Sequence, residues 1–154
     1  MRTLVALALA PLISAAAPGE DYDEPYRILQ QANRTLDPAL AASAYASDAV
    51  LIFEYPGRRR EEFRGREAIR ASYDRTFGQV EPGSAIELEF RIDPPGPRPE
   101  PHGGAYRVRA KAAGRDVIAY GRFVAKLVKQ NGHWRFAEDR GTAAAATDFE
   151  MLPE

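Results

Sequence analysis

Glu138 and Arg140 are the residues whose types and spacing most clearly suggest chemistry. They follow Trp134 and Phe136 at intervals of two, and alternate residues of a β-strand share one face. A carboxyl group beside apolar side chains has a raised pKa, which prepares it for general acid or base catalysis. Arg140 on the same face opposes this shift and would pair with the carboxylate if both were buried. Glu138 is therefore the candidate catalytic residue; the alternatives are a structural ion pair and two solvated groups at a rim.

The strand that carries these residues is predicted to form half of a hairpin over residues 116–140. Asn131-Gly132 favours a type I′ turn, because both residues tolerate the positive φ angles that match the hairpin twist. The register then opposes 130 to 133, 127 to 136, 125 to 138 and 123 to 140, and opposed residues share a face. Asp139 falls on the outer face in this register.

Four tyrosines on apolar stripes are candidates for lining a pocket. A phenol can stabilise an enolate beside a carboxylate base, as in ketosteroid isomerase, although most such tyrosines are core residues with a satisfied hydroxyl. The facing of Glu54 stays open. The candidate ligand-binding residues are Tyr26, Tyr45, Tyr73, Tyr106, Trp134, Glu138 and Arg140.

No cofactor or metal is predicted. His102 and His133 have no third ligand at metal spacing, and the chain has no phosphate-binding glycine loop or nucleophile elbow. His102 lies in the proline-rich segment 93–104, where it would be either part of a lid or a solvated loop residue. The net charge of −1 offers no basic excess for nucleic acid. Three adjacent arginines at 58–60 either bind an anion or form a solvated loop tip.

The N-terminal residues 1–17 have the pattern of a cleaved signal peptide. One arginine precedes an apolar run that is too short to span a bilayer, and small alanines follow it. We therefore expect export to the periplasm or the outside of the cell, with no stable membrane anchor. The chain has no cysteine, so disulfides do not bear on this expectation.

The remaining pattern predicts a single domain over residues 18–142, with a weakly ordered tail at 143–154. Helices are expected at 25–35, from Asp37 to about residue 46, and at 65–77, because apolar residues recur at helical spacing. Strands are expected at 49–55, 61–64, 84–92 and 105–112, followed by the hairpin. This order predicts an α+β domain in which a curved antiparallel sheet packs on the helices.

Three motifs resemble those of nuclear transport factor 2-like domains, and the SnoaL-like branch is the most similar. They are YASDAV at 45–50, FRGREAI at 63–69 and NGHWRF at 131–136. The resemblance implies a cone-shaped sheet around about three helices, with a cavity at the wide end. Many relatives have histidines where this chain has Glu138 and Arg140, so a histidine mechanism is not expected. Fold alone does not define activity.

Two functions are consistent with these patterns. The first is a non-catalytic exported domain that binds a small apolar or aromatic molecule, or serves as an assembly module. The second is a cofactor-free isomerase, dehydratase or cyclase that uses Glu138. A homodimer is predicted through the outer sheet face, against the alternative of a monomer whose long charged side chains cover the patch. Its apolar residues are Ile118, Tyr120, Val124, Val128 and Ala137, among Arg122, Lys126, His133, Arg135 and Asp139.

Overall fold

The computed structural model describes residues 19–154, so the predicted signal peptide lies outside the described residues. Within them no helix is long and apolar enough to cross a membrane. The helices are α1 (Glu24–Thr35), α2 (Pro38–Ser43), α3 (Gly65–Phe77) and α4 (Ala146–Glu150). The strands are β1 (Tyr45–Glu54), β2 (Glu61–Arg64), β3 (Glu87–Ile92), β4 (His102–Ala112), β5 (Arg115–Gln130) and β6 (His133–Ala143).

Local sequence explains where the first helices begin. Pro25 lies in the first turn of α1, where its missing N–H costs no hydrogen bond. The carboxylate of Asp37 caps α2 by accepting from the backbone N–H groups of Ala39 and Leu40 at 2.9 and 3.0 Å. The second helix ends at Ser43, earlier than predicted, and β1 starts at Tyr45.

The six strands form one curved sheet in the order β2-β1-β6-β5-β4-β3. The β1–β6 pair is parallel and the other neighbours are antiparallel. Helices α1–α3 cover the inner face, and the core between them includes the fully buried Tyr45, Leu51, Ile69 and Phe136. The predicted α+β cone is confirmed, with one parallel strand pair added.

The β5–β6 hairpin departs from the predicted register halfway along its length. Asn131 and Gly132 have φ angles of 52° and 79°, which confirms the predicted reversal. Pairing runs as predicted to Leu127 with Phe136, but Lys126 then pairs with Glu138 and Ala125 with Asp139. Ala137 is the extra residue of a β-bulge, and an extra residue in one strand reverses the facing of every residue beyond it.

The C-terminal segment also differs from the predicted weakly ordered tail. Residues 146–150 form α4, and Phe149 is fully buried on the outer side of the sheet. The guanidinium carbons of Arg91 and Arg107 lie 4.4 and 4.9 Å from the centre of its ring. Arg91 Nη1 also donates to the carbonyls of Phe149, Glu150 and Leu152 at 3.1–3.4 Å. The tail is thus fixed by long-range contacts.

Candidate functional site

A cavity of about 490 Å³ opens between the inner face of the sheet and helices α1 and α3. This volume lies within the range of about 300–1,000 Å³ that is usual for small-molecule sites. Its apolar walls are formed by Leu29, Phe53, Leu88, Phe90, Val108 and Phe123. Polar groups in the interior belong to Asn33, Ser72, Tyr73, Tyr106 and Asp139, and exposed residues at the opening include Arg58, Glu61, Arg75, Thr76 and Gln79.

Asp139 is the carboxyl group that the bulge turns into this cavity. Among residues 19–154, its side chain has one hydrogen-bond donor, the hydroxyl of Tyr45, which lies 2.9 Å from Oδ2. Oδ1 has no donor there, and no cationic side chain pairs with the carboxylate. The side chain is half-buried and lines the cavity.

Tyr45 and Tyr73 connect Asp139 to α3. Their hydroxyl oxygens lie 3.0 Å apart, and Tyr45 is fully buried. A hydroxyl has one proton, so when Tyr45 donates to Asp139, Tyr73 must donate to Tyr45. Burial raises the pKa of both phenols, and the nearby negative charge of Asp139 raises them further. The two neutral phenols thus form a chain of hydrogen bonds that orients the carboxylate of Asp139.

Tyr106 brings a second hydroxyl to the same wall. Its ring lies against Gly121, where an added Cβ would come within 2.0 Å of the ring, so only glycine leaves room for it. The hydroxyl lies 3.6 Å from the place of a Cβ on Gly141, which is two residues from Asp139 on the inner face. Burial raises the pKa of this phenol as well, and the neighbouring Tyr55 raises it further, so the hydroxyl is protonated at neutral pH.

Burial raises the pKa of Asp139 from 3.8 to about 6, and the hydrogen bond from Tyr45 opposes this shift. A raised pKa means that the folded state binds the proton more tightly than the unfolded chain. The stability contributed by the protonated form is therefore complete below pH 4 and is lost as pH rises through 6. At neutral pH most of the group is ionised and ready to accept a proton.

The Asp139→Asn variant is expected to be more stable than the wild type at neutral pH. Asparagine removes the buried charge, which costs the folded state about 1–2 kcal/mol once solvent access through the cavity is allowed for. The difference in unfolding free energy, measured by urea denaturation, should grow between pH 4 and 6 and stay constant above pH 7. A difference that does not change with pH would contradict the raised pKa.

The structure places Glu138 and Arg140 on the outer face, so their predicted inward facing is wrong. Arg140 lies 3.6 Å from Glu138 and 4.0 Å from Glu54, and all three side chains are more than a third exposed. An exposed ion pair of this kind contributes about 0–1 kcal/mol. The physical reason is the bulge, which exchanges two charged residues for Asp139 and Gly141 on the inner face.

The other predicted ligand-binding residues divide into two groups. Tyr73 and Tyr106 line the cavity, whereas Tyr45 lies behind its wall. Tyr26 is buried outside the cavity, with its hydroxyl 2.5 Å from Nε2 of His102. Trp134 faces inward as predicted, but it packs edge-on against Tyr22, away from the opening.

His102 is neither a lid nor a solvated loop residue. It begins β4 and is 3% exposed, with Nδ1 3.0 Å from the carbonyl of Glu100. Burial lowers its pKa, so the ring is neutral and accepts the hydrogen bond from Tyr26. Within residues 19–154, no group of three His, Cys, Asp or Glu side chains is arranged to hold a metal ion.

The sequence carries the three motifs of the resemblance, and the structure has the expected cone and cavity. A model of the SnoaL-like domain matches residues 26–140, most of the chain. The chain belongs to the SnoaL-like domain family. No curated protein sequence matches it significantly.

Solved structures extend this SnoaL-like assignment to the nuclear transport factor 2-like fold. An NTF2-like protein of unknown function from Pseudomonas putida is 17% identical over 86% of this chain and 94% of its own, with a TM-score of 0.59. A ketosteroid isomerase-like protein from Erwinia carotovora is 17% identical over 80% and 94%, at 0.54. An LEH-like epoxide hydrolase from Mycobacterium tuberculosis is 17% identical over 85% and 87%, at 0.57. Identities this low show the fold alone.

Proposed function

We propose that this SnoaL-like domain binds a small, partly apolar molecule in its cavity and moves a proton on it without a cofactor. The reaction class is that of an isomerase, dehydratase or cyclase, and Asp139 is the general acid or base. The observation that carries the proposal is the inward carboxyl of Asp139, which has one neutral donor and no paired cation among residues 19–154.

The cost of this arrangement supports a functional role. A buried carboxylate is expensive unless it is paired, and replacing it by a neutral residue would stabilise the fold. A carboxyl with its pKa near 6 also suits proton transfer near neutral pH, where its base form dominates and its conjugate acid still protonates a product. Packing of the core requires neither a buried, unpaired carboxylate nor a carboxyl pKa near 6.

The proposed step removes a proton from a carbon beside a carbonyl group. Asp139 accepts that proton, and the electron pair of the C–H bond moves to the carbonyl oxygen, giving an enolate. Because Tyr73 gives its proton to Tyr45, Tyr106 is the proposed donor to the developing oxyanion. In a ketone whose enolate is conjugated with a C=C bond, returning the proton from Asp139 to the far carbon of that bond shifts the double bond and completes an isomerisation.

Exchange of the C1 protons of 2-tetralone in D₂O, followed by proton NMR, tests this step, because these protons lie between the aromatic ring and the carbonyl group. This bicyclic ketone is apolar at one end and has acidic protons beside its carbonyl group. The wild type is expected to accelerate the exchange above the buffer rate and to shift the ketone's resonances on binding. Binding without acceleration would refute proton transfer on ketones and favour the second candidate.

That second candidate is binding without turnover. It is favoured by the small number of polar groups available for catalysis. The described lining has one interior carboxyl group, and one of its interior phenols, Tyr73, already gives its proton to Tyr45. A reaction that needs a separate acid and base would depend on Glu61, which lies at the exposed opening. Neither candidate changes the proposal that the cavity is the ligand site.

Pairing of two copies through the outer sheet face also remains a proposal. Ile118, Val124 and Val128 are 56%, 52% and 39% exposed there, although α4 packs Phe149 near Tyr120 and Asp139 has left that face. We expect light scattering to give twice the mass of one chain in the micromolar range, and Val124→Lys to lower it to that of one chain. A single-chain mass for the unaltered protein would contradict the dimer.

Export is likewise proposed from residues 1–17 alone.

A further inference from the structure

Two arginines lie at the opening of the cavity, and the step proposed for its interior does not use them. Arg58 comes from the loop between β1 and β2, and Arg75 comes from the last turn of α3. Both side chains line the opening and are exposed. Separate elements thus bring two cations to the open end of the cavity, away from the carboxyl of Asp139 in its interior.

Neither guanidinium is used in an ion pair within residues 19–154. The neighbouring Arg60 pairs with Glu54 and Glu62 at 3.2 and 2.9 Å, so the loop does contain an arginine with a structural role. Arg75 is held over the ring of Phe63, with its central carbon 5.4 Å from the ring centre. This contact keeps the cation at the opening and leaves its N–H groups free for a ligand.

Glu61 is the one carboxylate at the opening among the described lining residues, so two positive charges face one negative charge there. Asp139 adds a negative charge at the inner end when it is ionised. A ligand that complements both ends has an apolar or carbonyl-bearing part inside and an anionic group outside. Arginine binds carboxylate, phosphate and sulfonate groups through several N–H donors at once.

From this arrangement we infer that the cavity takes amphipathic anions: molecules with an apolar ring or chain that enters toward Asp139 and an anionic group held by Arg58 and Arg75. This inference rests on the proposed ligand site and adds the chemical class of the ligand. In this arrangement the two alternatives for the arginine turn apply to different residues: Arg58 binds the anion, whereas Arg59 is exposed, does not line the cavity and belongs to the solvated tip.

A matched pair of fluorescent probes tests the inference. 8-Anilinonaphthalene-1-sulfonate and N-phenyl-1-naphthylamine share an aromatic skeleton, and only the first carries an anionic sulfonate. We expect the wild type to bind the sulfonate more tightly. Arg58→Gln and Arg75→Gln should each weaken sulfonate binding about threefold to tenfold, since each removes one charge-assisted contact, and should leave binding of the neutral probe unchanged.

Arg59→Gln is the matched control, because it removes the same charge from the same loop outside the cavity. Equal loss with Arg58→Gln and Arg59→Gln would overturn the inference, since it would indicate a general effect of net charge. Equal affinity of the wild type for both probes would also overturn it, while leaving the proposed ligand site intact. If neither probe bound, both the inference and the proposed ligand site would fail.

Discussion

Replacing Asp139 with asparagine is expected to slow exchange of the 2-tetralone protons by about 10²- to 10⁴-fold, which is the usual contribution of a positioned general base. The amide keeps the size of the side chain and still accepts the hydrogen bond from Tyr45, but it cannot take up a proton. The wild-type rate should rise as pH increases through about 6, where the carboxyl ionises, and the variant should show no such step. Proton NMR at a series of pH values measures both effects.

Glu138→Gln is the matched control for this experiment. It removes a carboxyl from the adjacent residue, on the exposed side of the same strand, and should leave the rate unchanged. A loss of exchange in Glu138→Gln with full activity in Asp139→Asn would contradict the assignment and restore the role first predicted for Glu138. Broadening of the 2-tetralone resonances shows whether each variant still binds the ketone.

Truncating Phe149 to alanine is expected to lower the free energy of unfolding by about 2–4 kcal/mol. The ring is fully buried on the outer face of the sheet, and the guanidinium groups of Arg91 and Arg107 lie against it. Its removal leaves a cavity and also removes the cation–π contacts. Urea denaturation followed by tryptophan fluorescence measures the loss.

Met151→Ala provides the comparison for this prediction. Met151 lies two residues further along the tail and is 84% exposed, so its truncation should change stability by less than about 0.5 kcal/mol. If Phe149→Ala were equally mild, the tail would contribute nothing to the fold, and the weakly ordered segment predicted from its composition would describe it better.

Elements governed by local chemistry were predictable from the sequence. The Asn131-Gly132 turn is one, because the preference of these residues for positive φ does not depend on distant contacts. The helix at 65–77 is another, with its apolar residues at helical spacing. The motifs at 45–50, 63–69 and 131–136 were sufficient to indicate the fold, and two of the four candidate tyrosines, Tyr73 and Tyr106, do line the cavity.

The cavity carboxyl was not predictable in the same way. Strict alternation from Trp134 and Phe136 assigned Glu138 and Arg140 to the inner face. This assignment placed two charged residues on an otherwise apolar face, which was the one sign in the sequence that the alternation is interrupted. A bulge at Ala137 removes that conflict by turning both charges outward and placing Asp139 and Gly141 inside. Inward charges at the far end of an otherwise apolar strand face are thus a signal for a bulge.

The sequence by itself determined the fold family, the hairpin turn and the apolar faces, because short-range backbone preferences and burial patterns determine them. Tertiary structure alone decided which acid lines the cavity and whether the tail docks. A β-bulge of one extra residue has a small local free-energy cost, so the register is set by which side chains the helices and neighbouring strands can bury. Phe149 docks because strands more than 40 residues earlier supply Arg91 and Arg107, a contact that no local pattern encodes.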